Sequence, residues 1–113
     1  MNQIKKYFVL VFALIIATTS FAQTQSTPTK TQTIKVSGLC DMCKTRIEKA
    51  AKIEGVIRAA WDLKTKGLTV VYNPSKVKIA DLEKRIAAVG HDTPLYKASD
   101  KVYNALPGCC KYR

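Results

Sequence analysis

The order of apolar patterns between residues 33 and 97 constrains the fold of this chain most strongly. Alternating apolar residues predict strands, and apolar residues spaced three or four positions apart predict helices. The predicted elements are a strand, a helix, two strands, a helix and a strand, over residues 33–37, 41–53, 56–63, 68–72, 79–89 and 91–96. This order predicts an α+β, ferredoxin-like βαββαβ sandwich, with two helices on one face of a four-stranded antiparallel sheet.

Glycine and proline residues support these boundaries. Gly55 and Gly90 follow the two helical patterns, as is typical of helix C-terminal caps. Pro94 lies within the last predicted strand and has no N–H to donate to a neighbouring strand. We therefore expect strand 91–96 at an edge of the sheet.

The N-terminal residues 1–22 have the pattern of a secretory signal peptide. Lysines precede an apolar run over residues 7–17, and small residues precede an expected cleavage after Ala22. A membrane-spanning helix needs about 20 apolar residues, so this run is too short for an anchor. We expect a periplasmic protein, exported across the inner membrane and not membrane-embedded when mature. The polar residues 23–32 predict a flexible linker.

The chain is strongly basic, with 19 Lys and Arg residues against 8 Asp and Glu residues and a net charge of +11. A high positive charge raises the question of nucleic-acid binding. The basic residues are scattered along the chain, however, and export also argues against a nucleic-acid partner. Several of them lie close to a cysteine pair and would suit an acidic protein partner, namely Lys44, Arg46, Lys49 and Lys52.

Cys40 and Cys43 open the first predicted helix. Their spacing lets both sulfur atoms point at one metal ion. The thiolate is the form of cysteine that binds metals, and the N-terminus of a helix favours it. Lys44 and Arg46 add positive charge, so we expect thiolates near neutral pH.

A second cysteine pair, Cys109 and Cys110, lies in the C-terminal tail, residues 98–113. Two close pairs stabilise a fold poorly as disulfides, because such bridges close very short loops. Ser99 predicts the start of a short apolar tail helix. If this helix folds back, Cys109 or Cys110 joins the first pair and raises the coordination to three or four thiolates. The alternative is a disulfide with the first pair or with another chain.

The chain resembles the heavy-metal-associated domain family over residues 33–97. That family includes small copper chaperones, the N-terminal modules of metal-transporting P-type ATPases and a periplasmic mercury-binding protein. The resemblance depends on the first strand, the Cys40-x-x-Cys43 motif, the Ile-Glu-Gly-Val sequence at 53–56 and the Val-Gly-His sequence at 89–91.

The cysteine loop departs from the usual pattern of this family, Gly-Met-x-Cys-x-x-Cys. Gly38 lies two residues before Cys40 rather than three, and no methionine precedes the first cysteine. Leu39 is expected to fill the core in place of that methionine. Met42 lies between the two cysteines instead, where packing or solvent exposure is the expected role.

The resemblance and the soft thiolate ligands together imply a metal-binding protein that is not an enzyme. Two thiolates suit a soft ion, so Cu(I) is expected first, with Hg(II) or Zn(II) as alternatives. The resemblance implies transfer by ligand exchange with a metal-transporting membrane protein or another metal-binding domain with an acidic face. His91, at the start of the last predicted strand, is a further candidate ligand or a pH-sensitive neighbour, and the alternative is a strand-end histidine that faces water.

Two other functions use the same residues. A CxxC motif at a helix N-terminus is also found in thiol–disulfide exchange proteins. The strand order predicted here differs from the order in thioredoxin-like folds. A structural zinc module held by all four cysteines would unfold when the metal is removed, whereas this apolar pattern is complete without a metal.

Overall fold

The computed structural model describes residues 28–113, so the predicted signal peptide and the first residues of the predicted linker lie outside the described residues. The strands are β1 (Lys30–Lys35), β2 (Val56–Trp61) and β3 (Gly67–Tyr72). The helices are α1 (Asp41–Ala51), α2 (Ile79–Ala88) and α3 (Asp100–Asn104), and a 3₁₀ turn spans Gly108–Cys110. Between residues 28 and 113, no helix has both the length and the apolar character needed to cross a membrane.

The sheet has three antiparallel strands in the order β1-β3-β2. Leu68 in the central strand pairs with Ile34 on one side and with Trp61 on the other. β1 begins at Lys30, inside the predicted linker, because its polar first residues pair with the end of β3 through their backbone. These side chains are exposed, so no apolar alternation marked them as a strand.

An irregularity in β2 changes which side chains face the core. The register shifts between Val56 and Arg58. The apolar alternation over residues 56–63 predicts a shared face for Ile57, Ala59, Trp61 and Leu63. Of these side chains only Trp61 is buried, while Ile57 is 65% exposed and Leu63 is 41% exposed. A bulge moves the residues on either side of it to different faces, which the sequence pattern does not reveal.

Both long helices bury one apolar face against the sheet. α1 buries Ile47 and Ala51, and α2 buries Leu82 and Ile86, as their helical spacing predicted. These side chains form one core with the inward-facing strand residues, which include Ile34, Val36, Trp61, Leu68 and Val70. The element order and the strand order are those of a ferredoxin-like sandwich without its fourth strand.

The fourth strand expected over residues 91–96 is absent from the described part of the chain. One backbone hydrogen bond, from the Ser37 N–H to the Asp92 carbonyl at 3.0 Å, connects this segment to the residues after β1. The next residues form a turn, in which the Thr93 N–H donates to the Tyr96 carbonyl at 2.8 Å. Pro94 lies within that turn. Local hydrogen bonds therefore replace the strand pairing.

The tail folds back against the domain. Ser99 Oγ accepts a hydrogen bond from the Val102 N–H and caps α3, while Tyr103 and Leu106 are buried in the core. At the end of the tail, the Arg113 side chain donates to the carboxylate of Asp92 and to the carbonyl oxygen of Ala98. These contacts bring the 3₁₀ turn and its two cysteines to the start of α1.

Candidate metal centre

The loop before α1 packs closely on the core. A Cβ atom added at Gly38 would lie 3.0 Å from the Trp61 ring and 3.1 Å from Cβ of Cys43. The Trp61 indole N–H donates to the Val36 carbonyl at 3.0 Å, which fixes the ring beneath the loop. Glycine at this position therefore lets the loop backbone lie close to the Trp61 ring, which positions the cysteine loop on the core.

Three cysteine sulfur atoms meet at the start of α1. Sγ of Cys40 lies 3.3 Å from Sγ of Cys43 and 3.3 Å from Sγ of Cys110. The three atoms all lie within 4.8 Å of one another. Cys43 and Cys110 are buried and Cys40 is partly exposed, and all three are free thiols. A single ion placed among them is within reach of three sulfur ligands.

Cys109 lies beside this cluster and faces solvent. Its Sγ is 3.9 Å from Sγ of Cys110 and 3.7 Å from Sδ of Met42, which is 52% exposed. The structure thus places both tail cysteines at the start of α1, but only Cys110 enters the three-sulfur cluster.

One positive charge points directly at the sulfur atoms. Nη1 of Arg46 donates a hydrogen bond to Sγ of Cys110 at 3.4 Å. Lys44 is engaged elsewhere, because its ammonium group donates to the Trp61 carbonyl at 2.7 Å and pairs with Glu48 at 3.1 Å. Of the two basic residues expected to favour thiolates, Arg46 therefore has the direct contact.

The two thiols of the CxxC motif differ in acidity. The backbone N–H of Cys43 is the main cause that lowers the pKa of the Cys40 thiol to about 7. Burial raises the pKa of the Cys43 thiol to about 11, and its contact with the Cys110 sulfur adds to the rise. These shifts favour the thiolate near neutral pH for Cys40 and the neutral thiol for Cys43 in the free protein.

His91 is fully buried next to the tail. Its Nδ1 lies 2.8 Å from the Ser37 carbonyl oxygen, so Nδ1 is the protonated nitrogen that donates. Its ring stacks on Tyr112 with centroids 5.8 Å apart. Burial lowers the pKa of the imidazole, and the charge of Arg46 lowers it further. Within residues 28–113, the group of metal-ligating atoms at α1 contains Cys40, Cys43 and Cys110 but not His91.

The expectation that Leu39 fills the core is wrong. Its side chain is 46% exposed at the edge of the cysteine loop. The Trp61 ring instead lies beneath the loop, in close contact with Gly38. Leu39 and Met42 instead give the rim of the site an exposed apolar character.

The donor set selects for soft metal ions. Thiolate ligands prefer Cu(I), zinc and comparable ions, whereas Mg²⁺ and Ca²⁺ prefer oxygen ligands. The three clustered donors are all sulfur atoms. Arg46 offsets part of the negative charge that three thiolates carry.

Comparison with known proteins identifies the family. The Heavy-metal-associated domain family matches residues 33–92, which is more than half of the chain. The chain belongs to the heavy-metal-associated domain family. Cys40 and Cys43 lie within the matched range, whereas Cys109 and Cys110 lie beyond its end.

Two relatives show the extent of the similarity in sequence. A zinc-transporting ATPase of Synechocystis sp. is 40% identical over 78 residues, which are 67% of this chain and 11% of the ATPase. The copper chaperone CopZ of Staphylococcus epidermidis is 38% identical over 61 residues, which are 52% of this chain and 90% of CopZ.

A solved structure is similar at the level of the fold. The N-terminal domain of a potential copper-translocating P-type ATPase from Bacillus subtilis, in its Cu(I)-loaded state, superposes with a TM-score of 0.57 at 31% identity. The superposition covers 66% of this chain and 96% of the Bacillus subtilis domain. The heavy-metal-associated domain therefore accounts for the sandwich. The chain spans only about a tenth of the length of the zinc-transporting ATPase described above.

Sequence reasoning missed the residues that hold the tail in place. Tyr112 donates to the Gly90 carbonyl at 2.6 Å and accepts from the Asp92 N–H at 2.9 Å, and Arg113 binds the Asp92 carboxylate. The Lys-Tyr-Arg sequence that follows the cysteine pair was the only signal in the sequence. Such a sequence is common on solvated surfaces, so the signal was weak.

Proposed function

We propose that this protein binds Cu(I) through the thiolates of Cys40, Cys43 and Cys110 and carries or sequesters the ion. The observation that supports this proposal most is the convergence of three sulfur atoms within 4.8 Å at the start of α1. The family and the copper chaperone relative agree with a metal-binding role. No bond of a substrate changes in this process, so the proposed protein is not an enzyme.

Transfer is proposed to occur by ligand exchange. An incoming thiolate of a partner binds the ion while one of the three cysteines leaves. Cys40 is the partly exposed member of the cluster, whereas Cys43 and Cys110 are buried. Cys40 is therefore the position at which a partner ligand reaches the ion first.

The partner is proposed to be a metal-transporting membrane protein or another metal-binding domain. Arg46 beside the site and Lys49 in the last turn of α1 favour a partner surface with acidic residues. The N-terminal pattern of residues 1–22 supports export to the periplasm, with a mature chain from Gln23.

Zinc is the second candidate ion, and Hg(II) is a further soft ion that fits thiolates. The relative with the most matched residues among those described above is named a zinc-transporting ATPase. Zinc prefers four ligands in a tetrahedron. Three of them would be the clustered thiolates, and Cys109, 3.9 Å from Cys110, is the nearest candidate for the fourth.

The test is a competition titration of reduced protein against a chromophoric Cu(I) chelator, with Zn(II) run in parallel. Cys40→Ser and Cys110→Ser should each raise the Kd of the first Cu(I) by more than about tenfold, because even the loss of an outer-shell partner costs ten- to a hundredfold. Cys109→Ser is the matched control and should leave the first ion unaffected.

Two results would contradict the proposal. If the wild-type protein binds no Cu(I) in competition with the chelator, the Cu(I) function is wrong. If Cys110→Ser leaves the first Kd unchanged, the tail is not part of the site. Tighter retention of Zn(II) than of Cu(I), with dependence on Cys109, would favour the zinc alternative.

A further inference from the structure

Sulfur atoms extend beyond the three-cysteine cluster towards solvent. Starting from the buried end, the contacts run from Cys43 to Cys40, then to Cys110, Cys109 and Met42. Successive sulfur atoms are 3.3, 3.3, 3.9 and 3.7 Å apart. The proposed Cu(I) site uses the first three and leaves Cys109 and Met42 without a role in Cu(I) binding.

The tail turn explains how two consecutive cysteines reach the same place. Cys109 and Cys110 lie in the 3₁₀ turn Gly108–Cys110, which packs against the first turn of α1. Cys110 points into the buried cluster, and Cys109 points along the surface to Met42. Both side chains of the outer pair are exposed, so an ion can reach them without any opening of the fold.

We propose that Cys109 and Met42 form a second, outer Cu(I) site, in which the thiolate of Cys110 is shared between the two ions. The proposal deepens the proposed function and rests on it, because it needs the inner site to hold the first Cu(I). Thioether and thiolate sulfur are both soft ligands suited to Cu(I).

The distances between the outer sulfur atoms suit a bound ion. With a metal–sulfur bond of about 2.3 Å, two sulfur atoms on one ion lie about 3.8 Å apart in a tetrahedral site, about 4.0 Å in a trigonal site and about 4.6 Å in a linear one. The observed 3.9 Å between Cys110 and Cys109 and 3.7 Å between Cys109 and Met42 are close to the first two values. These two sulfur–sulfur distances therefore need to change little when an ion binds.

The charge balance is also compatible with a second ion. Three thiolates and one Cu(I) have a net charge of −2. Addition of the Cys109 thiolate and a second Cu(I) leaves that charge unchanged, while the displaced thiol proton passes to water. Arg46, which donates to Cys110, faces the shared sulfur atom and offsets its charge in both states.

Met42 makes the outer site the weaker of the two. A thioether is neutral and binds as a weaker ligand than a thiolate, and Met42 and Cys109 are both open to solvent. We therefore expect the second ion to bind with lower affinity than the first and to exchange first.

The test counts Cu(I) ions on the reduced protein by native mass spectrometry and by titration with Cu(I) from a chromophoric chelator. The wild-type monomer should bind two ions. Met42→Leu removes the sulfur atom but keeps an apolar side chain of similar size, and Cys109→Ser removes the thiol. Each variant should bind one ion, with the Kd of the second raised by at least about a hundredfold and the first unchanged. Leu39→Ala, an exposed rim residue without a sulfur atom, is the matched control and should bind two.

The outcomes separate this inference from the proposed function. One ion on the wild type, with an affinity that depends on Cys110, leaves the proposed function intact and overturns the outer site. Two ions that persist in both variants, or a second ion found only in dimers, also overturn it. No tightly bound Cu(I) at all contradicts the proposed function itself.

Discussion

Replacement of Gly90 by alanine tests how the tail is held against the domain. Gly90 follows α2 with a φ of +111°, and its N–H donates to the Ala87 carbonyl at 3.0 Å in a helix C-cap. A Cβ atom added there would lie 2.8 Å from Cδ2 and 3.0 Å from Cγ of Leu106. Leu106 is the tail side chain that fills the core just before the cysteine turn.

Two costs add in the Gly90→Ala variant. A side chain in the left-handed region costs about 1–2 kcal/mol. Overpacking against Leu106 costs about 1–3 kcal/mol, because that side chain is buried and cannot move away freely. We expect a loss of about 2–5 kcal/mol, which is a large fraction of the total stability of a typical domain, about 5–15 kcal/mol.

The assay is urea denaturation followed by the fluorescence of Trp61, the only tryptophan of the chain. Gly108→Ala is the matched control, because a Cβ atom there meets nothing within 4 Å. It should change the unfolding free energy by less than about 0.5 kcal/mol. The Gly90→Ala variant should also bind the first Cu(I) more weakly, since Leu106 helps to position Cys110. An unfolding free energy of Gly90→Ala within about 0.5 kcal/mol of wild type would refute this reasoning.

Three further predictions concern the tail and the cysteines. Tyr112→Phe leaves the Gly90 carbonyl and the Asp92 N–H without their hydrogen bonds to the hydroxyl group, and it should lower the free energy of unfolding in urea by about 2–4 kcal/mol. The control Tyr96→Phe, at an exposed position, should lower it by less than about 0.5 kcal/mol. Equal losses in the two variants would contradict the role of Tyr112. At pH 7, iodoacetamide should modify Cys40 faster than Cys43 in peptide mapping, because the pKa of Cys40 is lowered to about 7 and burial raises that of Cys43 to about 11; equal rates would contradict this difference. Burial alone would raise the pKa of Asp92, but hydrogen bonds from Arg113 and the Ala98 N–H lower it below the unfolded value. The ionised Asp92 carboxylate therefore stabilises the fold above about pH 4, and this stabilisation is lost as the pH falls through the folded pKa. The stability difference between wild type and Arg113→Gln should therefore shrink as the pH falls below about 4, and a difference that is constant with pH would show that the ion pair does not stabilise the fold.

The sequence predicted those elements whose apolar side chains repeat over several positions. Ile34, Val36, Ile47 and Leu82 are buried as their spacing indicated. Such patterns are informative because a face of several residues must be removed from water together.

Elements that depend on local hydrogen bonds were not predictable in this way. The predicted strand 91–96 has suitable residues, but the Thr93 side chain exchanges hydrogen bonds with the backbone of Tyr96 and closes a turn instead. The bulge in β2 likewise leaves Ile57 exposed although its position in the alternation indicated burial.

The candidate site was predictable only in part for a similar reason. The spacing of Cys40 and Cys43 at a helix start indicated a shared site. Which tail cysteine would enter it depends on the direction of two consecutive side chains in the turn Gly108–Cys110. That direction is set by contacts distant in sequence, such as the contact of Arg46 with Cys110.

The most direct test of the three-sulfur site is X-ray absorption spectroscopy of the reduced protein with one equivalent of Cu(I). We expect three sulfur ligands in the wild-type protein and two in Cys110→Ser, with Cys109→Ser unchanged from wild type. A two-coordinate ion in the wild-type protein would contradict the account, because it would show that the Cys110 sulfur, 3.3 Å from Cys40 in the free protein, does not bind the metal.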